Sequence, residues 1–212
     1  MTSIPTKHKI LNAATKLFNQ HGLANVRLQM IADETGISIG NLAYHFKNKE
    51  AIIGAISTNL QDKLLDILAM YRKRRDLLDF DLQLDRFYDF FITNPYYFMD
   101  VLDIKRSYPA LPVFKSNCAE KIQSQIVSRF KMNVETGLLK KEPYLDYYKE
   151  ESLSIWGYMV FLVPHIEILG QKLPSLLEFK RHIWMKFIPH LTDAGKQEFK
   201  FLISPILQLS ID

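Results

Sequence analysis

Asn41, Tyr44, His45 and Lys47 bring an amide, a phenol, an imidazole and an ammonium into seven consecutive positions, spanning one predicted helix and the start of the turn behind it. None of them forms a nucleophile–base pair. Each is a hydrogen-bonding group suited to base edges or phosphate oxygens. Their spacing sorts them by face. Leu42 and Phe46 lie four apart and turn into a small core, so Ile39, Asn41, Tyr44 and His45 fall on or beside the opposite face. A surface helix ordinarily carries Lys and Glu outward. The outward set here contains no carboxylate, the group that would be costly to bury against DNA.

The neighbouring elements must hold that face out. Thr6 is placed to cap a first helix from Lys7, with Ile10, Ala14, Leu17 and Phe18 as its apolar stripe and Gly22 at its end. Asn25 is the available cap for a second helix whose apolar residues are Leu28, Ile31 and Ala32. Gly36 supplies the bend and Ser38 caps the third helix. A helix, a short turn containing Gly and a second short helix form the helix-turn-helix pattern. Gly40 inside the third helix costs about 1 kcal/mol relative to Ala. Close approach to DNA or to the second helix would compensate. Asn48 caps a fourth helix, and Lys47, Lys49 and its first-turn amides form a phosphate-binding corner. Residues 1–50 hold six basic and three acidic side chains, a local excess of +3 within a chain of net charge +4. The expected DNA-binding set is Arg27, Gln29, Ser38, Ile39, Gly40, Asn41, Tyr44, His45, Lys47 and Lys49.

The rest of the composition bounds the function. With 212 residues, 48% hydrophobic, the chain can bury a sizeable core. Its single cysteine, Cys118, excludes a disulfide framework within one chain and reads as an incidental helix residue, a redox or intermolecular role being the alternative. The N-terminus lacks the apolar stretch of a secretory signal. The most apolar segment, Ile155 to Ile166, is about half the length of a membrane span. A cytoplasmic protein without membrane attachment is expected. There is no phosphate-cradling glycine loop, HExxH, CxxC or nucleophile elbow, so no catalytic residue, metal or cofactor is expected. Tyr147-Tyr148-Lys149 superficially resembles a catalytic Tyr/Lys pair, but the strands such a site requires are missing. The readings set against a DNA-binding regulator are a helical interaction module without effector and a helical enzyme.

Residues 10–53 resemble the N-terminal domain of the tetracycline-repressor (TetR) family of bacterial regulators. Ile10-Leu11-Asn12-Ala13-Ala14-Thr15-Lys16-Leu17-Phe18 is similar to that family's first helix. Met30-Ile31-Ala32-Asp33-Glu34-Thr35-Gly36-Ile37-Ser38 is similar to its second helix and turn. Gly40 to Glu50 is similar to its recognition helix and the corner behind it. The resemblance implies that Ile39, Asn41 and Tyr44 face bases, while His45 and Lys47 touch phosphate. Three positions depart from the pattern. Arg27 stands where a small hydroxyl residue is common, Ala43 where an aromatic is frequent, and Ile39 where a polar residue is usual. Ile39 could meet a thymine methyl.

The remainder reads as helical throughout, which gives an all-α chain: a three-helix helix-turn-helix domain over 1–50, and a larger helical ligand-binding and dimerisation domain over 51–212. A long helix is expected from Ala51 to Arg75, ending in the basic run Arg72-Lys73-Arg74-Arg75. Further helices are expected over 79–93, 96–106, 111–135, 144–170 with a kink near Pro164, 174–190 and 194–207. The segments 150–170 and 175–190 are apolar on nearly all sides, which suggests a subunit interface. The expected interface residues are Ile155, Met159, Ile166, Ile183, Trp184 and Phe187, and the resemblance implies a four-helix dimer contact there. Phe91, Tyr97, Tyr108, Phe114, Trp156, Phe161 and His165 are the candidate effector pocket. The partners expected are a double-stranded DNA operator, a second copy of the chain and a small apolar or aromatic effector. A homodimer would read a palindrome with half-sites roughly 34 Å, or a multiple, apart.

Overall fold

The computed structural model describes residues 5–70, 76–111, 116–209 and 211. Phe114, the basic run 72–75 and the side chain of Cys118 lie outside the described residues. Within them every regular element is helical, apart from a single antiparallel bridge between Leu139 and Leu191. The helices are α1 (Thr6–His21), α2 (Leu28–Thr35), α3 (Ile39–His45), α4 (Lys49–Ala69), α5 (Leu78–Thr93), α6 (Pro95–Met99), α7 (Val101–Ser107), α8 (Ser116–Glu135), α9 (Tyr147–Ile168), α10 (Leu176–Trp184), α11 (Asp193–Leu202) and α12 (Ser204–Leu207), with a 3-10 turn at Ile188–His190.

Two compact units emerge, and they are drawn differently from the expected division at residue 50. The first comprises residues 1–63 together with 94–115; the second comprises 64–93 and 116–212. The first therefore includes α6 and α7, which pack back onto the head. The Phe18 and Tyr96 rings lie 5.3 Å apart, and the Asn19 side chain accepts from the Tyr96 N–H. Its core is built from Ile10, Ala14, Leu17 and Phe18 of α1, Ile31 and Ala32 of α2, Leu42 of α3, Phe46, and Ile52, Ile53 and Ile56 of α4.

Three helix ends differ from the sequence reading. α1 starts at Thr6 itself, so Pro5 occupies the cap position and no side chain caps it. Arg27 rather than Asn25 precedes α2, and the Asn25 amide donates to the His21 carbonyl instead. The expected helix over 96–106 is two helices, broken at Asp100. The other two caps follow expectation. Ser38 Oγ accepts the Asn41 N–H at 3.1 Å, and Asn48 Oδ1 accepts the Ala51 N–H at 2.9 Å. Each satisfies one of the first amides of a helix, which have no partner within it.

In the second unit α5 is buried along most of its length, including Asp79, Asp81 and Gln83. Charge partners make this tolerable. Arg129 of α8 reaches Asp79 at 3.0 Å and Gln83 at 2.9 Å. Lys180 of α10 reaches Asp81 at 2.7 Å and Asp85 at 2.5 Å, and the Trp184 indole donates to Asp81 at 3.0 Å. Around these ions lie stacked rings, with Phe130 4.5 Å from both Tyr148 and Phe187. α9 continues through Pro164 without ending there.

Candidate nucleic-acid interface

α2 and α3 meet at Gly36, whose φ of 72° and ψ of 33° place it in the left-handed region that glycine enters without steric cost. The turn orients α3 so that Leu42 and the following Phe46 are buried while the opposite face is open. On that face Ile39 is 44% and Tyr44 86% exposed, and Asn41 is exposed beside them. The large exposure of a phenol is the informative value, because a ring left in water forgoes the free energy that burying its apolar surface would bring. His45, half-buried, meets Tyr44 edge to face with ring centroids 5.2 Å apart. Lys47 is exposed just beyond α3.

The supporting residues behave variously. Arg27 and Gln29 are exposed at the start of α2, and the Gln29 amide donates to Asp33 at 2.7 Å. Ser38 spends its hydroxyl on the cap of α3. Among the described residues a Cβ added at Gly40 would meet only Ser38 Oγ, at 3.9 Å, so none of them requires the glycine. Lys49 departs from the expectation of an outward cation. Its ammonium donates to the Leu23 carbonyl and lies 5.8 Å from the centre of the Phe18 ring. Burial pushes its pKa down, and Asp100 opposes that shift.

The second unit corrects the interface residues expected from sequence. Ile155, Met159, Ile183, Trp184 and Phe187 are each at most 1% exposed and form the chain's own core, which leaves them no surface for a partner. Ile166 is half-buried. The sequence reading saw correctly that α9 is apolar all round, but periodicity does not say which apolar side faces inward. The outward side carries Leu153, Phe161 and Ile168, exposed at 57%, 57% and 81%.

The expected effector residues are divided as well. Tyr97 and Tyr108 belong to the first unit, and Phe91, Trp156, Phe161 and His165 to the second. Phe91 and Tyr97 are fully buried, whereas Phe161 projects outward and cannot line an internal pocket. His165 borders a recess of about 400 Å³ with Tyr158, Leu162, Ile166, Glu178 and His182. Tyr158, Glu178 and His182 were missed in the sequence. The recess forms between two helices joined by residues 169–175, a pairing no local signal announces. Among the described residues no group of three or more His, Cys, Asp or Glu could hold a metal ion, and no helix is long and apolar enough to cross a membrane.

Comparison with known proteins agrees with this geometry. Residues 10–56 match the family model for bacterial regulatory proteins of the tetR family. The HTH-type transcriptional regulator UidR of Escherichia coli K12 is 39% identical over 61 residues, which are 29% of this chain and 31% of that protein. RutR of the same organism, another HTH-type transcriptional regulator, is 39% identical over 67 residues, 32% of each chain. The matches thus span about a third of these relatives' length. A crystal structure of a TetR-family transcriptional regulator from Marinobacter aquaeolei VT8 superposes with a TM-score of 0.81 and 24% identity, over 94% of this chain and 98% of that one. Residues 10–56 are thus similar to the tetR family of bacterial regulatory proteins, and the chain as a whole shares the fold of a TetR-family regulator.

Proposed function

We propose that this protein is a sequence-specific regulator of transcription that binds double-stranded DNA as a homodimer. The observation that carries the reading is the open face of α3, where Ile39, Asn41 and Tyr44 project away from a core that already holds Leu42 and Phe46. These groups gain partners in a major groove, where base edges offer a distinct pattern of donors, acceptors and methyls. Lys47 and His45 serve the backbone on either side.

A second copy of the chain supplies the second head. One seven-residue helix gives little affinity, whereas two heads related by a twofold axis read a palindrome. The outer stripe of α9 supports the dimer. Leu153, Gly157, Val160, Phe161, Pro164 and Ile168 share one side of the helix, and Gly157 has open space above its Cα for a closely approaching helix.

The protein acts as a repressor released by a small apolar or aromatic effector. The recess beside His165, where the Tyr158 and His182 rings stack 5.4 Å apart, is the candidate place for it. Release requires only that the effector favour a conformation in which the heads no longer match adjacent half-sites. A coupling of about 1–3 kcal/mol changes operator affinity 5- to 150-fold. Selection of bound duplexes from a random pool, followed by footprinting, tests the reading. A palindromic consensus supports it, and recovery of unenriched sequence refutes it. Calorimetry with a panel of apolar and aromatic compounds then tests the effector, which must change affinity for that consensus.

A further inference from the structure

Lys49 and Asp100 converge on the backbone of one residue, Leu23. The Leu23 N–H donates to Asp100 Oδ2 at 2.8 Å, and the Leu23 carbonyl accepts from the Lys49 ammonium. Leu23 is 6% exposed and lies in the short connection between α1 and α2. Its two backbone groups are part-buried and would otherwise be left without these partners, and a buried backbone group without a partner costs free energy comparable to a lost hydrogen bond. Lys49 also stands over the Phe18 ring, and Phe18 packs on Tyr96, four residues ahead of Asp100. All of these residues belong to the first unit.

This arrangement makes Lys49 unlike Lys47. Lys47 is exposed at the end of α3, whereas Lys49 is half-buried and its ammonium is already engaged by protein. Moving it out to a phosphate would break the Leu23 contact and strand a carbonyl. We infer that Lys49 is a positioning residue for DNA recognition rather than a phosphate contact: with Asp100 it pins the two peptide groups flanking Leu23 and so fixes where α2, and through it α3, begins. The inference rests on the DNA-binding reading above. Asp100 sits at the break between α6 and α7, so this one carboxylate ties that helix pair to the connection ahead of the helix-turn-helix.

The test is a salt titration of DNA binding with the full-length chain and the duplex recovered by selection. The wild-type protein is compared with Lys47→Ala, Lys49→Met and Asp100→Leu. Removing a phosphate contact lowers the slope of log affinity against log salt by about one. Lys47→Ala does this. Lys49→Met and Asp100→Leu lower affinity by about tenfold, within the ordinary range of coupling between sites, and leave the slope unchanged. Their double variant is no weaker than the worse single variant, because both remove one device. A slope that falls with Lys49→Met as it does with Lys47→Ala overturns the inference, as does full affinity in Asp100→Leu. Hydrogen exchange provides a readout independent of DNA. The Leu23 amide is protected in the wild-type protein, and Asp100→Leu exposes it while the amides within α1 keep their protection. A rapidly exchanging wild-type Leu23 amide overturns the inference even if the protein binds no duplex, an outcome that would separately end the DNA-binding reading.

Discussion

Tyr44 and His45 are adjacent in sequence and meet edge to face, with ring centroids 5.2 Å apart at the open side of α3. The imidazole is half-buried against the head and the phenol is 86% exposed, so His45 steadies a ring that has no other reason to stand in water. Tyr44→Ala is expected to relax sequence preference at one or two base pairs, at a cost of about 1–3 kcal/mol in binding. Its thermal midpoint should stay close to wild type, since substitutions at exposed sites move stability by about 0.5 kcal/mol or less. Fluorescence anisotropy on a panel of singly altered duplexes, with calorimetry of the free protein, measures both effects.

Gly40 separates stability from function. Among the described residues a Cβ at this position would meet only Ser38 Oγ, at 3.9 Å. Gly40→Ala should therefore stabilise the free protein by about 0.5–1 kcal/mol through helix propensity. The same methyl would stand between α3 and the groove, and duplex affinity should fall. Chemical denaturation and anisotropy on one preparation check the opposed signs.

The outer stripe of α9 predicts the oligomeric state. Phe161→Glu combined with Ile168→Glu puts two charges into a face that is apolar at both positions. Light scattering should show a monomer that keeps its helical circular dichroism. Ile155→Ala on the inner face should instead destabilise the fold by about 2–5 kcal/mol, as deletions of buried aliphatic groups do.

Lys180 holds two acidic side chains of α5, Asp81 at 2.7 Å and Asp85 at 2.5 Å. Lys180→Met removes the cation and leaves the Asp81 carboxylate inside the core, with the Trp184 indole as its remaining side-chain donor among the described residues. Breaking one partner of a buried ion pair costs about 3–5 kcal/mol. Differential scanning fluorimetry should record a large drop in the unfolding midpoint.

The head was legible in the sequence because its signals are local. Gly36 must bend, Ser38 and Asn48 must cap, and Leu42 and Phe46 must face one way, all within a dozen residues of one another. The break at Asp100 was not legible, because the carboxylate there is spent on Leu23, 77 residues away. The Lys49 contact was hidden for the same reason: its spacing fits a phosphate corner, while the Leu23 carbonyl that it meets lies 26 residues earlier in the chain. The ion pairs of α5 join residues 50 and 99 apart, so neither Asp79 nor Asp81 announced a buried partner. On α9 the residues expected at an interface, Ile155 and Met159, lie in the core, because a helix apolar on every face carries no pattern from which to choose a side.

The central claim is that the open face of α3 completes its polar contacts on DNA. A salt titration of the wild-type chain against the selected duplex and a scrambled duplex of equal length tests it most directly. The account predicts tighter binding to the selected duplex at every salt concentration, with affinity falling at about 0.9 logarithmic units per neutralised phosphate for each tenfold rise in salt. Equal affinity for the two duplexes across the whole range would contradict it.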